Sequence, residues 1–467
     1  MNIVEQMNLF MEPESVAIVG VSRKTDENSW NILGNLLNYG FQGKIYPVNP
    51  TAEQILGIKT YPSLQAIPDQ IDLAVIATPR FTVLDIVKEC IDKGIKAIVV
   101  IAQGFADSDG EGKKMQSDLV RIATDGGARI MGPNTFGVAN AFRNLCTALP
   151  LFKLKKTPVG VICQTGLFFL SLSRYRYGKI IDLGNTCDVD LADALQYFAD
   201  DPDIKVINLH IEGIQQGEKF IEVAKQVVKK KPVIALKTGR SEYASTAAQS
   251  HTGSLTGRDE VYESMFKQCG IIRANDIEEL EDVSSAFLRL PPMKGQNLTI
   301  MSWAGSTGVM AVDACQKYGL EVSKLSPATQ NQIRQLSPPD WLPVNNPVDL
   351  WACIGLSGFQ AQNFQKDIQI LLEALLAEDH SHGLLVAIPD FLDLFPSELW
   401  DISSTIRRAA DKFRDKPLAF ATLGRQGELI AKIDKIDNTI VYPNCERAVR
   451  ALARLCEYTT FLDKPDK

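Results

Sequence analysis

Short apolar, β-branched runs alternate with stretches of helical apolar period in this chain, and the alternation starts afresh three times. No other feature constrains the fold as strongly. The first series begins at Ser15 with "SVAIVG" and passes through "NILGNLLNYG", "KIYPVNP", "DLAVIATP", "VLDIVKECIDKG" and "AIVVIAQGF" to "RIMGPNTFG". Uninterrupted apolar runs belong to strands buried on both faces, and helices between them imply parallel strands joined by right-handed crossovers. A doubly wound α/β unit is therefore predicted over residues 1–145. After the basic linker "LFKLKKTP" the pattern restarts at "PVGVICQTG" and continues through "VINLHIEGI" and "KPVIALKTGRS" to "GIIRANDIEELEDVSSAFLRL", a second unit over 146–293. A third, 294–467, follows "PPMKGQ": it opens with "NLTIMSWAGSTGVMAVDACQKYG" and closes on the helix "CERAVRALARLCEY". Each unit opens with an apolar strand, a turn of small residues and a helix, which is architectural repetition and not a short-period solenoid.

Charge and cysteine usage exclude several classes of function. With 49 basic and 56 acidic residues mixed along 467 positions, net −7, the chain carries no broad basic field, and nucleic acid is not an expected partner. The opening "MNIVEQMNLFMEPESV" has no basic n-region ahead of an apolar run, and no later stretch approaches about 18 consecutive apolar residues, so a soluble cytoplasmic protein without membrane contact is expected. The nine cysteines are scattered, with no CxxC pair or other metal-ligand spacing, and read as reduced, mainly buried thiols with no metal.

In the first unit, Gly20 and Ser22 form a strand-to-turn passage, "VGVSR", of the kind that aims backbone N–H groups at an anion. The three-glycine GxGxxG fingerprint is absent, which disfavours NAD. By itself this turn reads better as purely structural, binding nothing. It gains weight because Asn49–Pro50, Thr78–Pro79, Gln103–Gly104 and Gly132–Pro133–Asn134 all follow further strands, whose loops should gather at one carboxyl edge.

These segments together resemble a known family. "SVAIVGVS", "GFQGKIYPVNP", "IKTYPSLQAIPDQIDLAVIATP", "AQGFAD" and "GPNTFGVAN" are similar to the Rossmann-like CoA-binding domain of NDP-forming acyl-CoA synthetases, relatives of the succinyl-CoA ligase α subunit. "LGNTCDVDLADAL", "DDPDIKVINLHIEGI", "KPVIALKTGRS" and "SHTGSLTGRDEVYESMFKQCGIIR" continue the likeness into a flavodoxin-like ligase domain, and the third unit resembles the family's further flavodoxin-like domain. The resemblance implies CoA binding through Gly20, Ser22, Asn49, Pro50, Thr78, Pro79, Gln103 and Asn134.

One of only four histidines, His251, lies in "QSHTGSLTG" among hydroxyls and glycines. A neutral imidazole, with its ordinary pKa of about 6.5, is a competent nucleophile toward phosphorus near neutral pH. The family match implies that His251 carries a phosphoryl group, that Glu212 of "LHIEGI" orients the ring and supports its charge, and that Gln164, Thr165, Gly166 and Gly253 surround the phosphate. On local sequence alone the better reading of Glu212, by a small margin, is an ordinary strand-end acid. The family commonly has Ser-Gln-Ser-Gly where this chain has Cys163-Gln164-Thr165-Gly166, and the stretch from Gly166 to Gly184 is several residues shorter than the usual pattern. His210 is taken as structural, His380 and His382 of "EDHSHG" as solvated, and Cys163 as an unfavoured nucleophile.

No P-loop GxxxxGK[ST] is present, nor a segment resembling the family's ATP-grasp domain. The resemblance therefore implies an α-type ligase subunit that interconverts acyl-CoA, ADP and phosphate with carboxylic acid, CoA and ATP. It further implies a hetero-oligomer in which an ATP-grasp β-type subunit holds Mg and the nucleotide. Two other readings stay open: a noncatalytic CoA-binding regulator of the same fold, favoured by the altered "CQTG" and the short segment after it, and an NAD(P)-binding oxidoreductase.

Overall fold

A computed structural model gives the fold of residues 1–23, 31–150, 154–170, 177–241, 243–244, 257–336, 338–350, 361–388, 401–423 and 427–464. The first sheet comprises β1 (Ser15–Val19), β2 (Lys44–Val48), β5 (Leu73–Ile76), β6 (Ala97–Val100) and β7 (Arg129–Met131), while β3 (Gln54–Ile55) and β4 (Ile58–Lys59) form a separate small hairpin. Its order is β2-β1-β5-β6-β7, all parallel. Every residue of β1, β5 and β6 is buried, as continuous apolar runs require. Between β1 and β2, helix Ile32–Tyr39 starts at Asn31, whose side chain accepts the Gly34 N–H, and stops at Gly40 in the left-handed conformation (φ 69°).

The second sheet has five parallel strands, β10 (Val159–Cys163), β11 (Lys179–Asp182), β12 (Val206–Ile211), β13 (Val233–Lys237) and β14 (Ile272–Ala274). An antiparallel hairpin, β8 (Val138–Asn140) with β9 (Leu145–Cys146), extends it beyond β11, giving the order β14-β13-β12-β10-β11-β8-β9. These two sheets lie in one compact unit, 1–277.

Residues 278–467 form the other compact unit. Its sheet, ordered β16-β15-β17-β18-β19, is parallel throughout: β15 (Leu298–Ser302), β16 (Val348–Asp349), β17 (Gly383–Ile388), β18 (Leu418–Thr422) and β19 (Thr439–Tyr442). Successive residues feed opposite layers. Leu384, Val386 and Phe420 enter one core and Leu385, Ala387 and Ala419 the other, the signature of helices packed on both faces.

Numbered by the order of their parallel strands in the chain, all three sheets read 2-1-3-4-5. In that topology ligands bind outside the carboxyl ends of the strands, where the crossover direction reverses between the first and third strands. The reversal falls between β1 and β5, β10 and β12, and β15 and β17.

Candidate active site at two sheet edges

At the carboxyl edge of the first sheet the residues expected to bind CoA stand on contiguous loops. Gly20 has φ 90°, and a Cβ there would lie 2.6 Å from Thr78 Cγ2, so the β1 and β5 loops approach at a distance only glycine allows. Asn49 Nδ2 donates to the Val21 carbonyl at 3.1 Å, while its Oδ1 accepts from the N–H groups of Thr51 and Ala52. This amide locks the β2 loop, with exposed Pro50, onto the glycine turn. Thr82 Oγ1 donates to Thr78 Oγ1 at 2.9 Å just after Pro79, and the Arg80 guanidinium donates to the Gly104 carbonyl at 2.6 Å beside exposed Gln103. Asn134 donates its backbone N–H to the Ala102 carbonyl at 2.9 Å. Ser22 is exposed on the same rim, its carbonyl accepting from Asn31 Nδ2 at 3.2 Å. Each loop is thus tied to the next.

Asn185, just after β11, connects this rim to the second sheet. Its Nδ2 donates to Asp107 Oδ1 at 2.7 Å and Gln116 Oε1 at 3.1 Å, and its Oδ1 accepts from Asn134 Nδ2 at 3.3 Å. One asparagine therefore links the loops after β6, β7 and β11.

At the second reversal point Gln164 and Glu212 follow adjacent strands β10 and β12. Gln164 Oε1 accepts the backbone N–H of Glu212 at 2.7 Å and of Gly213 at 3.2 Å; Nε2 donates to the Gly213 carbonyl and to Thr186 Oγ1, both at 3.0 Å. The Gln164 side chain thereby braces the turn that carries Glu212. Thr165 and Gly166 are half-buried ahead of the short helix Leu167–Leu170. A Cβ on Gly166 would come within 2.7 Å of the Phe136 ring, which also stacks edge-on against Phe169 with centroids 5.9 Å apart. His251 and Gly253 lie outside the described residues.

Two buried charges close to Glu212 escaped the sequence reading. Lys237, ending β13, is 2% exposed and donates through Nζ to the Glu212 carbonyl at 3.0 Å and to the Thr238 carbonyl. Burial lowers its pKa to about 8, with Asp259 and Glu212 opposing the shift. Asp182, ending β11, is 1% exposed and accepts the N–H of Phe136 at 2.8 Å and of Gly184 at 3.2 Å. Burial raises its pKa to about 6, against the pull of those amides, and the charge of Glu212 adds to the rise. The available signal was a charged residue closing an apolar run, in "VIALK" and "KIID".

The remaining histidines and Cys163 sort by burial. His210 is 4% exposed; its Nε2 lies 3.1 Å from Thr238 Oγ1 and its ring 5.7 Å from that of Phe168. His380 is exposed, but His382 is not simply solvated as expected: its Nδ1 accepts the Asn297 N–H at 3.2 Å, and its ring packs where a Cβ on Gly295 would be. The Cys163 thiol is fully buried and points at the Ile181 carbonyl 3.6 Å away, and burial drives its pKa well above the usual thiol value. That environment suits a packed thiol, not a nucleophile. In the third sheet, the "SWAGSTG" hydroxyls of Ser302 and Thr307 bond to each other and to the Ala304 carbonyl.

Comparison with known proteins adds the following. Residues 14–141 match the CoA binding domain family and 156–287 the succinyl-CoA ligase-like flavodoxin domain family. The chain is 35% identical to the α subunit of acetate–CoA ligase [ADP-forming] I from Pyrococcus furiosus, over 98% of this chain and 99% of that one. Against the α subunit of the II enzyme of the same organism the identity is 38%, over 84% and 85%. A longer relative, acetate–CoA ligase [ADP-forming] II of Archaeoglobus fulgidus, is 34% identical over 96% of this chain but only 66% of its own length. Among solved structures, dinucleotide forming acetyl-coenzyme A synthetase 1 of Ca. Korarchaeum cryptofilum, in complex with phosphate and ADP, superposes with a TM-score of 0.84 at 31% identity, covering 98% of each chain.

Proposed function

The chain belongs to the family of ADP-forming acetate–CoA ligase α subunits, and from that premise we propose that it interconverts an acyl-CoA, ADP and phosphate with a carboxylic acid, CoA and ATP. The observation that carries the reading is the placement of Glu212 at the β10/β12 reversal, its backbone held by Gln164. A carboxylate fixed at a ligand-binding edge can accept the N–H of an imidazole and stabilise positive charge on the ring.

In the proposed sequence, phosphate attacks the thioester carbonyl, the C–S bond breaks, and CoA leaves as the acyl phosphate forms. A nitrogen of His251 then attacks phosphorus, the carboxylate departs, and Glu212 steadies the ring by accepting its other N–H. ADP finally takes the phosphoryl group. Two easier transfers replace one difficult one. The backbone amides of Thr165 and Gly166, with Gln164 and Gly253, face the phosphate. Residues 1–145 hold CoA through Gly20, Ser22, Asn49, Pro50, Thr78, Pro79, Gln103 and Asn134; the chemistry belongs to 146–293; and 294–467 form the third domain.

The nucleotide and Mg reside on a separate β-type subunit of ATP-grasp fold. Supporting this are the α-subunit names of the relatives that the chain matches over 85% and 99% of their length. Among the described residues no helix is long and apolar enough to cross a membrane, and the free thiols fit a reducing cytoplasm.

The test is to assay the chain alone and with its partner. Turnover only in the complex, with acid-labile, alkali-stable label from radioactive phosphate on His251, is the expected result. ATP synthesis by the purified chain alone overturns the subunit assignment. CoA binding without any turnover in the complex favours instead a noncatalytic regulator, the reading to which the Cys163 substitution lends weight.

A further inference from the structure

Five backbone groups of the turn that carries Glu212 are held by side chains from three other elements. Gln164 takes the N–H of Glu212 and both polar groups of Gly213, Lys237 takes the Glu212 carbonyl, and the Tyr262 hydroxyl accepts the Ile214 N–H at 3.2 Å. Lys237 and Tyr262 also meet each other, with Nζ 4.6 Å from the ring centroid. Tyr262 belongs to helix Asp259–Cys269 and is 7% exposed.

Capping a carbonyl does not require a cation, and burying one is costly unless it is well bonded. What the ammonium does beyond capping is join segments. It holds the Thr238 carbonyl, where the chain leaves β13, and it lies on the ring against which Gly257 packs: Gly257 has φ 64°, and a Cβ there would come within 3.1 Å of Tyr262 Cε2. The stretch between Thr238 and Gly257 contains His251. Thr238 and Gly257, which flank it, therefore both meet the ammonium–ring pair that also fixes the Glu212 turn.

We propose that Lys237 and Tyr262 are positioning residues for phosphoryl transfer, setting Glu212 in register with the two ends of the His251-bearing stretch. The proposal rests on the roles assigned above to His251 and Glu212. Neither side chain needs to touch the substrate.

The test measures the rate of His251 labelling from acyl-CoA and radioactive phosphate in the reconstituted complex, with CoA affinity as the control. Lys237→Met should slow labelling roughly 10- to 100-fold, as losing an orienting partner does, with CoA affinity unchanged. In a Glu212→Gln background the same substitution should cost less than about threefold, because residues acting through one another are not additive. Lys237→Met labelling at the wild-type rate, or losing the same factor in both backgrounds, overturns the proposal. If Lys237→Met does not fold, Tyr262→Phe decides: it keeps the ring, loses the bond to Ile214, and should slow labelling several-fold only when Glu212 is present. An unchanged rate there overturns the proposal too. Absence of label from the wild-type complex would instead sink the phosphohistidine reading, and this proposal with it.

Discussion

Gln164 Oε1 accepts the backbone N–H of Glu212 at 2.7 Å across the boundary between β10 and β12. The glutamine side chain thus ties the first strand of its sheet to the third at the point where crossovers diverge, and the acid's backbone cannot shift without breaking that bond.

Replacing Gln164 by leucine should remove the acceptor for two buried N–H groups and the donor for one carbonyl. Unsatisfied buried groups cost about 1–3 kcal/mol each, and the expected loss is at least about 2 kcal/mol by denaturant unfolding, together with slower His251 labelling. A Gln164→Leu chain with wild-type midpoint and labelling rate would show that the brace is dispensable.

Cys163 stands where the family commonly has a hydroxyl, yet its thiol is buried with a pKa driven up by desolvation. Cys163→Ser should therefore keep turnover within about threefold, and iodoacetamide should leave the folded complex active, since only an accessible thiolate reacts readily. Rapid inactivation traced to carboxymethylated Cys163 would contradict this.

Gly20→Ala should weaken CoA binding. Besides the φ of 90°, the new methyl would meet Thr78 Cγ2 at 2.6 Å and the Ala77 carbonyl oxygen at 3.0 Å, so the loops after β1 and β5 must separate. Backbone strain of this kind costs about 1–3 kcal/mol, and calorimetry should show a CoA affinity reduced about tenfold or more. Gly110→Ala, at a position with nothing within 4 Å of the added methyl, is the control and should bind CoA normally. Equal affinities for both variants would separate the glycine turn from the CoA site.

Three parallel-strand sheets were legible because strands buried on both faces, such as Val159–Cys163, are unbroken apolar runs between helical stretches. That Glu212 and positions 20, 49, 78 and 134 stand at carboxyl edges was legible because they follow such runs, and parallel strands deliver their ends to one edge. The hairpin of β8 and β9 was not, since strands of three and two residues are too short to show a period. Nor were Lys237 and Asp182: whether a charge at a strand end is solvated or buried depends on distant residues, here Tyr262 and Phe136. His382 escaped for the same reason, its partner Asn297 lying 85 residues away.

Asp182 and His210, both in the second sheet, are buried titrating groups whose effects on stability oppose each other. Burial raises the Asp182 carboxyl to about 6, so between pH 4 and 6 the folded chain holds a proton that the unfolded chain has released, and stability falls as pH rises through that window. Burial lowers His210 to about 4, with Lys237 adding to the shift, so between pH 4 and 6.5 the unfolded chain holds the extra proton, and stability falls as pH drops. At 1.36 kcal/mol per pH unit each effect is roughly 3 kcal/mol, and the two largely cancel in the wild type. Removing either should expose the other. Relative to wild type, His210→Gln should lose stability progressively from pH 4 to 6, whereas Asp182→Asn should lose it progressively from pH 6.5 down to 4. Denaturant midpoints taken across pH 4 to 7 measure both, and variant curves running parallel to the wild-type curve would show that neither group titrates in this range.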